Sequence, residues 1–98
     1  MKFGLSEEEY HWIEKEVFAP LKRAGATLWC YGSRARGDHK KFSDLDIMLE
    51  SNEDLASLIG TLEETLSQSN FPYKVDIVQE RDFAESYKSG YLKDRVLI

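Results

Sequence analysis

Three aspartates interrupt runs of the chain whose other residues are typical of β-strands. Asp44 and Asp46 lie in Asp-Leu-Asp-Ile-Met-Leu-Glu (44–50), and Asp76 lies in Lys-Val-Asp-Ile-Val-Gln (74–79). A carboxylate beside a sheet is costly to desolvate unless it is paired or bound to a cation. Because side chains alternate along a strand, Asp44 and Asp46 share one face, and Leu45 and Ile47 take the other. Clustered carboxylates of this kind favour hard cations such as Mg²⁺.

A glycine-serine pair follows the first strand-like run. Gly32-Ser33 comes directly after Thr-Leu-Trp-Cys-Tyr (27–31), and residues 33–37 are predicted to form a short helix that opens from the turn. Backbone N–H groups at such a turn, next to a helix N-terminus, favour phosphate oxygens. The pair is therefore a candidate phosphate-binding element.

The order of the elements decides whether these groups meet. A helix between the second and third strands makes those strands parallel, in a right-handed crossover, so that both begin at the same edge of the sheet. The turn at Gly32 reaches that edge only if the first strand runs antiparallel to the second. We therefore expect one site that combines the aspartates with the turn. Two Mg²⁺ ions about 3.5–4 Å apart would suit such a site to phosphoryl or nucleotidyl transfer.

End signals and apolar spacing predict the first helix. Ser6 and Glu9 form a capping box, and apolar residues then recur at helical spacing to about Lys22. Gly25 is a suitable stop signal, and Pro20 is a possible earlier one.

The remaining elements complete an α-β-α-β-α-β-α order. Residues 38–43 are polar and predict a loop, and the tail from Asp82 is helical in character and divided at Gly90. A second long helix follows Ser51-Asn52, with a buried stripe formed by Leu55, Leu58, Ile59, Leu62 and Leu66. This order favours an α/β (α+β) fold, with a small mixed sheet flanked by helices in a single domain that spans residues 1–98.

Composition limits the classes of function. The chain has 98 residues, 42% of them hydrophobic, and a formal net charge of -5, so it fits one small globular domain and argues against non-specific nucleic-acid binding. Cys30 is the one cysteine, which excludes an internal disulfide. We find neither a signal peptide nor an apolar stretch near 18 residues, so we expect a cytoplasmic location and no membrane association. The apolar residues 96–98 are expected to pack on the domain or at an interface.

The full set of motifs resembles a known family. Gly-Ser-Arg-Ala-Arg-Gly (32–37) followed by Ser-Asp-Leu-Asp-Ile (43–47) resembles the signature of the DNA polymerase beta nucleotidyltransferase superfamily, in particular its minimal nucleotidyltransferase branch. Asp76, in Val-Asp-Ile-Val, matches the third carboxylate of that family. The likeness covers most of the chain.

The resemblance implies a role for each matching residue. Asp44 and Asp46 would hold the metal ions with the triphosphate, and Asp76 would complete one metal site and help to deprotonate the incoming hydroxyl. Gly32 and Ser33 would bind the β and γ phosphates. The nucleotide-binding set is completed by Arg36 and Arg34, which would offset phosphate charge.

The resemblance also implies a reaction and a partner. The reaction is Mg²⁺-dependent transfer of a nucleotide monophosphate, AMP from ATP by family precedent, to a hydroxyl. Members of this branch are often antitoxins of helical HEPN-domain toxins, which they silence by transferring AMP to a tyrosine of the toxin. Because 98 residues leave no room for an acceptor-binding domain, we expect another chain to supply that surface in a homo- or hetero-oligomer.

Other interpretations of the same residues stay open. Arg34 and Arg36 can also be solvated surface charges, Arg34 more readily, and Asp38, Lys40 and Lys41 are interpreted as ordinary loop charges. At the level of function, one alternative is a non-catalytic, nucleotide-binding subunit that neutralises its partner by binding. A second alternative is an adenylyltransferase that acts on a small molecule.

Overall fold

The structure is a computed structural model that describes residues 2–83 and 85–98, apart from the side chain of Tyr87. The helices are the 3₁₀ turn Lys2–Gly4, α1 (Glu7–Ile13), the π-helical turn Glu14–Phe18, α2 (Ala19–Arg23), α3 (Ser33–Arg36), α4 (Ala56–Ser67), the 3₁₀ turns Glu80–Asp82 and Glu85–Tyr87, and α5 (Lys88–Asp94). The strands are β1 (Thr27–Tyr31), β2 (Leu45–Glu50), β3 (Val75–Gln79) and β4 (Val96–Leu97). These elements form the predicted mixed α+β fold.

The first long helix begins and ends where the sequence predicts. The capping box is present, since the Glu9 backbone N–H donates to Ser6 Oγ and the Ser6 backbone N–H donates to the Glu9 carboxylate. Helical backbone continues from α1 through the π turn into α2, where Pro20 occupies the first turn and needs no N–H partner. Pro20 therefore does not end the helix. Gly25 ends it, with a φ of 92°.

The sheet has the order β3-β2-β1-β4, in which β2 and β3 are parallel and β1 is antiparallel to both β2 and β4. Both orientations on which the site depends are therefore confirmed. The sequence analysis missed β4, which pairs with Trp29 and Cys30 and contributes only two residues.

The two faces of the sheet are covered differently. One face packs on α1, α2 and α4 through the main core, which includes Ile13, Val17, Phe18, Leu21, Leu28, Cys30, Leu45, Ile47, Leu49, Ile59, Leu62, Val75 and Ile77. The other face carries Asp46 and Met48, and the C-terminal segment covers part of it by placing Tyr91 on Tyr31 and Arg95 on Trp29. The open remainder of this second face is where the predicted site lies.

The tail differs from its prediction in two respects. Gly90 does not divide it, because α5 runs through that glycine. Of the three terminal apolar residues, Ile98 packs against the core, whereas Val96 and Leu97 are 40% and 56% exposed on the edge strand β4. Within the described part of the chain, no helix has both the length and the apolar character needed to cross a membrane.

A buried glutamine joins β3 to the start of α4. Gln79 Oε1 accepts a hydrogen bond of 2.9 Å from the Leu55 backbone N–H, and its Nε2 donates to Asp54 at 2.8 Å.

Gln79→Leu would leave the Leu55 N–H buried without an acceptor, and we expect a loss of about 1–3 kcal/mol in the free energy of unfolding, measured by urea denaturation. Gln68→Leu, at the exposed end of α4, should change it by less than about 0.5 kcal/mol. Equal losses in both variants would contradict this role of Gln79.

Candidate active site

The three aspartates converge as predicted. Asp46 on β2 lies beside Asp76 on the parallel strand β3, and Asp44 immediately precedes β2. The Leu45 backbone N–H donates to the Lys74 carbonyl at 2.9 Å, which ties the starts of the two strands together. As a result, one carboxylate oxygen from each aspartate lies within 4.8 Å of the others, a spacing that could hold a metal ion.

The Gly32 turn packs against this acidic triad. Gly32 has a φ of 77°, in the region that favours glycine, and α3 begins at the next residue. A Cβ atom on Gly32 would lie 2.6 Å from Asp46 Oδ2, which is closer than Cβ atoms approach non-bonded atoms in proteins. The absence of a side chain is therefore what allows the turn to approach Asp46. The predicted meeting of the turn and the carboxylates is confirmed.

Burial and neighbouring like charges together determine the electrostatics of the site. Burial, followed by the negative charges of Asp76 and Asp44, raises the pKa of Asp46 from 3.8 to about 6, and the positive charge of Lys74 opposes this rise. A divalent cation would relieve this repulsion, and carboxylate oxygens are the ligands that Mg²⁺ prefers. The donor set therefore fits a Mg²⁺-type ion.

Two further residues belong to the site, although the sequence analysis did not single them out. Tyr31 lies directly across from Asp46 in the antiparallel β1–β2 pair, and burial, followed by the charges of Asp46 and Asp76, raises its pKa to about 12. Lys74 Nζ lies 3.8 Å from Asp76 Oδ1. The antiparallel register required by the Gly32 turn could have identified Tyr31, because residues paired across two strands point to the same face.

The two arginines of α3 have different environments. Arg36 is exposed at the end of the helix, where its Nε lies 3.1 Å from Asp38 and its Nη1 lies 3.3 Å from Asp94 of α5. These two carboxylates raise the pKa of Arg36. Arg36 therefore keeps its charge at the surface, next to the turn.

The expectation for Arg34 needs correction. Arg34 is only 2% exposed, so it is not a surface charge. Its Nε donates to the Ser43 carbonyl at 2.9 Å, its Nη1 donates to the Phe3 carbonyl at 2.8 Å, and its guanidinium stacks on Tyr73. These contacts direct the guanidinium into the protein, where it anchors the loop before β2, and they do not present it to a phosphate at the surface.

A mixed sheet that brings an acidic triad against a glycine turn and a helix N-terminus is the arrangement of a nucleotidyltransferase fold. Residues 6–98 match the family model described as "Nucleotidyltransferase domain", and the chain belongs to that family.

Known proteins resemble the chain in sequence and in fold. It is 37% identical over 73 residues to a Haemophilus influenzae (strain ATCC 51907 / DSM 11121 / KW20 / Rd) protein named "Probable protein adenylyltransferase MntA", and the match covers 74% of this chain and 64% of that protein's length. The fold resembles a chain in the solved structure "Crystal structure of the toxin-antitoxin with AMP-PNP", with a TM-score of 0.65 at 20% identity. That match covers 86% of this chain and 70% of the other chain.

The raised pKa of Asp46 predicts that replacing this carboxylate by a neutral side chain stabilises the fold, and that the gain depends on pH. A rise from 3.8 to about 6 corresponds to up to about 3 kcal/mol, and we reduce this to about 1 kcal/mol because solvent screens a half-buried group. The contribution of Asp46 to the free energy of unfolding of wild type is therefore most favourable below pH 4, and it is lost as the pH rises through about 6. Asp46→Asn should therefore unfold at higher urea than wild type at pH 7 without divalent ions, and at the same urea near pH 4. A variant less stable than wild type at pH 7 would contradict this account.

Substitution of the two arginines of α3 is expected to affect stability to very different extents. Arg34→Met would leave the buried carbonyl of Phe3 and the partly buried carbonyl of Ser43 without a donor, so we expect a loss of about 2–4 kcal/mol in the free energy of unfolding. Arg36→Met removes exposed ion pairs and should leave the unfolding midpoint almost unchanged. Urea denaturation of both variants tests the difference, and equal midpoints would show that the Arg34 contacts do not support the fold.

Proposed function

We propose that the chain is an active, Mg²⁺-dependent nucleotidyltransferase that transfers AMP from ATP to a hydroxyl of a partner protein. The observation that carries the proposal is the convergence of Asp44, Asp46 and Asp76 within 4.8 Å beside the Gly32 turn. Membership of the nucleotidyltransferase family supports the reaction class. The proposed location is the cytoplasm, where the buried thiol of Cys30 would remain reduced.

The acidic triad is proposed to hold the metal ions. Asp44 and Asp46 would bind two ions together with the triphosphate, and Asp76 would complete one of the two sites. When bound, such ions neutralise charge on the triphosphate and on the attacking and leaving oxygens of an in-line displacement. Burial and the charges of Asp76 and Asp44 raise the pKa of Asp46, and this supports the assignment because a bound cation would stabilise the charged carboxylates.

The proposed reaction makes one bond to phosphorus and breaks one. The acceptor hydroxyl oxygen bonds to the α-phosphorus of ATP, the bond from that phosphorus to the oxygen bridging the β-phosphate breaks, and pyrophosphate leaves. Asp76 is the proposed acceptor of the hydroxyl proton. It lies on β3, at the edge of the sheet, with 44% of its side chain exposed, so a hydroxyl from another molecule can approach it.

The glycine turn is proposed to bind the leaving phosphates. The first N–H groups of a helix have no acceptor within the helix, so the backbone at Gly32 and Ser33 can donate to the β and γ phosphates. The hydroxyl of Ser33 would add a further donor. Arg36 would offset phosphate charge once its guanidinium exchanges Asp38 and Asp94 for phosphate oxygens.

The nature of the acceptor and of the nucleotide is proposed from the relatives. The similar Haemophilus influenzae protein is named as a protein adenylyltransferase, and the similar solved chain belongs to a toxin-antitoxin structure with AMP-PNP. We propose that this chain is an antitoxin, assembled with a toxin that carries the acceptor hydroxyl. That this toxin has a HEPN domain is proposed from the resemblance of the motifs to the minimal nucleotidyltransferase branch.

Transfer to the partner tests the proposal directly. The chain, the protein encoded next to it, ATP and MgCl₂ are incubated together, and intact mass spectrometry measures any added AMP. We expect AMP on the partner with wild type, and a rate lower by at least about 100-fold with Asp44→Asn or Asp46→Asn. Glu63→Gln, an exposed carboxylate on α4, is the matched control and should react as wild type does.

The same incubation separates the two alternatives when neutralisation of the partner is also measured and a small-molecule alcohol is added. If the variants at Asp44 and Asp46 neutralise the partner as well as wild type does, and no AMP is added, the chain acts by binding. If AMP appears on an added small-molecule alcohol and not on the partner, the acceptor is a small molecule. Either result would overturn transfer to a partner protein.

A further inference from the structure

The loop from Asp38 to Ser43 carries an exposed aromatic residue close along the chain to the acidic triad. Phe42 is 71% exposed, more than any other large hydrophobic residue in the described part of the chain. It lies two residues before Asp44, so its Cα lies within about 7.6 Å of the Cα of Asp44. The backbone at Phe42 is therefore close to the proposed reacting groups.

The loop holds the ring outward by a defined turn. The Ser43 backbone N–H donates to the Lys40 carbonyl at 3.1 Å, and the Lys40 backbone N–H donates to Ser43 Oγ at 2.8 Å. The buried guanidinium of Arg34 donates a hydrogen bond to the Ser43 carbonyl from the protein side of the loop. Phe42 therefore lies in a turn whose backbone is held by hydrogen bonds on both sides of the residue.

The same turn carries unpaired positive charge. Lys40 and Lys41 are both exposed, and within residues 2–83 and 85–98 neither forms an ion pair. Lys41 Nζ lies 5.4 Å from the centroid of the Phe42 ring, so a cation and an aromatic ring are presented together. Asp38, the acidic residue of the loop, is paired with Arg36. This basic, aromatic tip contrasts with a chain whose net charge is -5.

We propose that the tip formed by Lys40, Lys41 and Phe42 is a docking site for an acidic segment of the partner protein, one that carries the acceptor hydroxyl. This inference rests on the proposed function, because it names the surface that brings the hydroxyl to the triad. The two lysines would pair with carboxylates that flank the hydroxyl, and the Phe42 ring would supply apolar contact. Two lysines on an acidic chain suit a short acidic peptide better than a nucleic acid, which needs a groove of positive charge along its backbone.

Binding without ATP tests the docking step separately from chemistry. The probe is a fluorescent random copolymer of glutamate and tyrosine, with a lysine-tyrosine copolymer and single-stranded oligoadenylate of matched length for comparison. We expect the full chain to bind the acidic copolymer best. Phe42→Ala, and separately the double variant K40Q/K41Q, should each raise the Kd about tenfold. The lysine effect should shrink as salt rises, because the charges are exposed.

Matched controls come from exposed residues elsewhere. Leu92→Ala removes an apolar side chain that is 54% exposed on α5, and Lys22→Gln removes an exposed lysine of α2. Both should bind the acidic copolymer as wild type does, and Phe42→Ala should unfold at the wild-type urea concentration because its side chain is exposed. Asp44→Asn should still bind the copolymer while it fails to transfer AMP. Docking and chemistry can therefore fail independently in this design.

Several outcomes would overturn the proposal. One is that wild type binds none of the three probes, and another is that Phe42→Ala and K40Q/K41Q both bind the acidic copolymer as tightly as wild type does. A third is tighter binding of oligoadenylate that both tip variants weaken, which would assign the tip to a nucleic acid. If the tip variants weaken binding and wild type nevertheless transfers no AMP to any acceptor, the docking site stands and the proposed function fails.

Discussion

Repulsion among three carboxylates is the constraint on which the rest of the structure depends. Asp46 has Asp76 beside it and Asp44 two residues earlier, and together with burial they raise its pKa to about 6. Lys74, which lowers that pKa, is itself exposed. The free energy that holds these groups together must therefore come from elsewhere in the fold. It comes from the apolar face of the same two strands, which packs on the helices.

Strand register connects the core to the site. Along β2, Leu45, Ile47 and Leu49 point into the core, and Asp46 points away from it, so a slip of one residue would bury a charge and expose three apolar side chains. The energy of burying the core therefore also fixes the direction of Asp46. Because Asp76 pairs with Asp46 in the parallel β2–β3 ladder, the same register brings the third carboxylate to the site.

Sequence patterns predicted most of this arrangement because local signals determine it. Strand alternation put Asp44 and Asp46 on one face, and the helix between β2 and β3 implied parallel strands. Three features escaped prediction because they depend on contacts between distant residues. β4 is a strand only through its pairing with β1, α5 runs through Gly90 as part of a tail that covers the sheet, and Arg34 is buried because its partners include Phe3, 31 residues away.

Arg34 and Arg36 show how a short helix can serve the fold and the site together. Residues two apart on a helix point in nearly opposite directions, so when one arginine of α3 faces inward the other must face solvent. Arg34 anchors the turn that displays Phe42, and Arg36 stays beside the glycine turn, paired with Asp94 of α5. The C-terminal segment, which covers Trp29 and Tyr31 on the second face, therefore also holds the guanidinium of Arg36. A triphosphate at the turn would compete with Asp94 for Arg36, so phosphate binding at the proposed site would weaken the ion pair that connects α3 to α5.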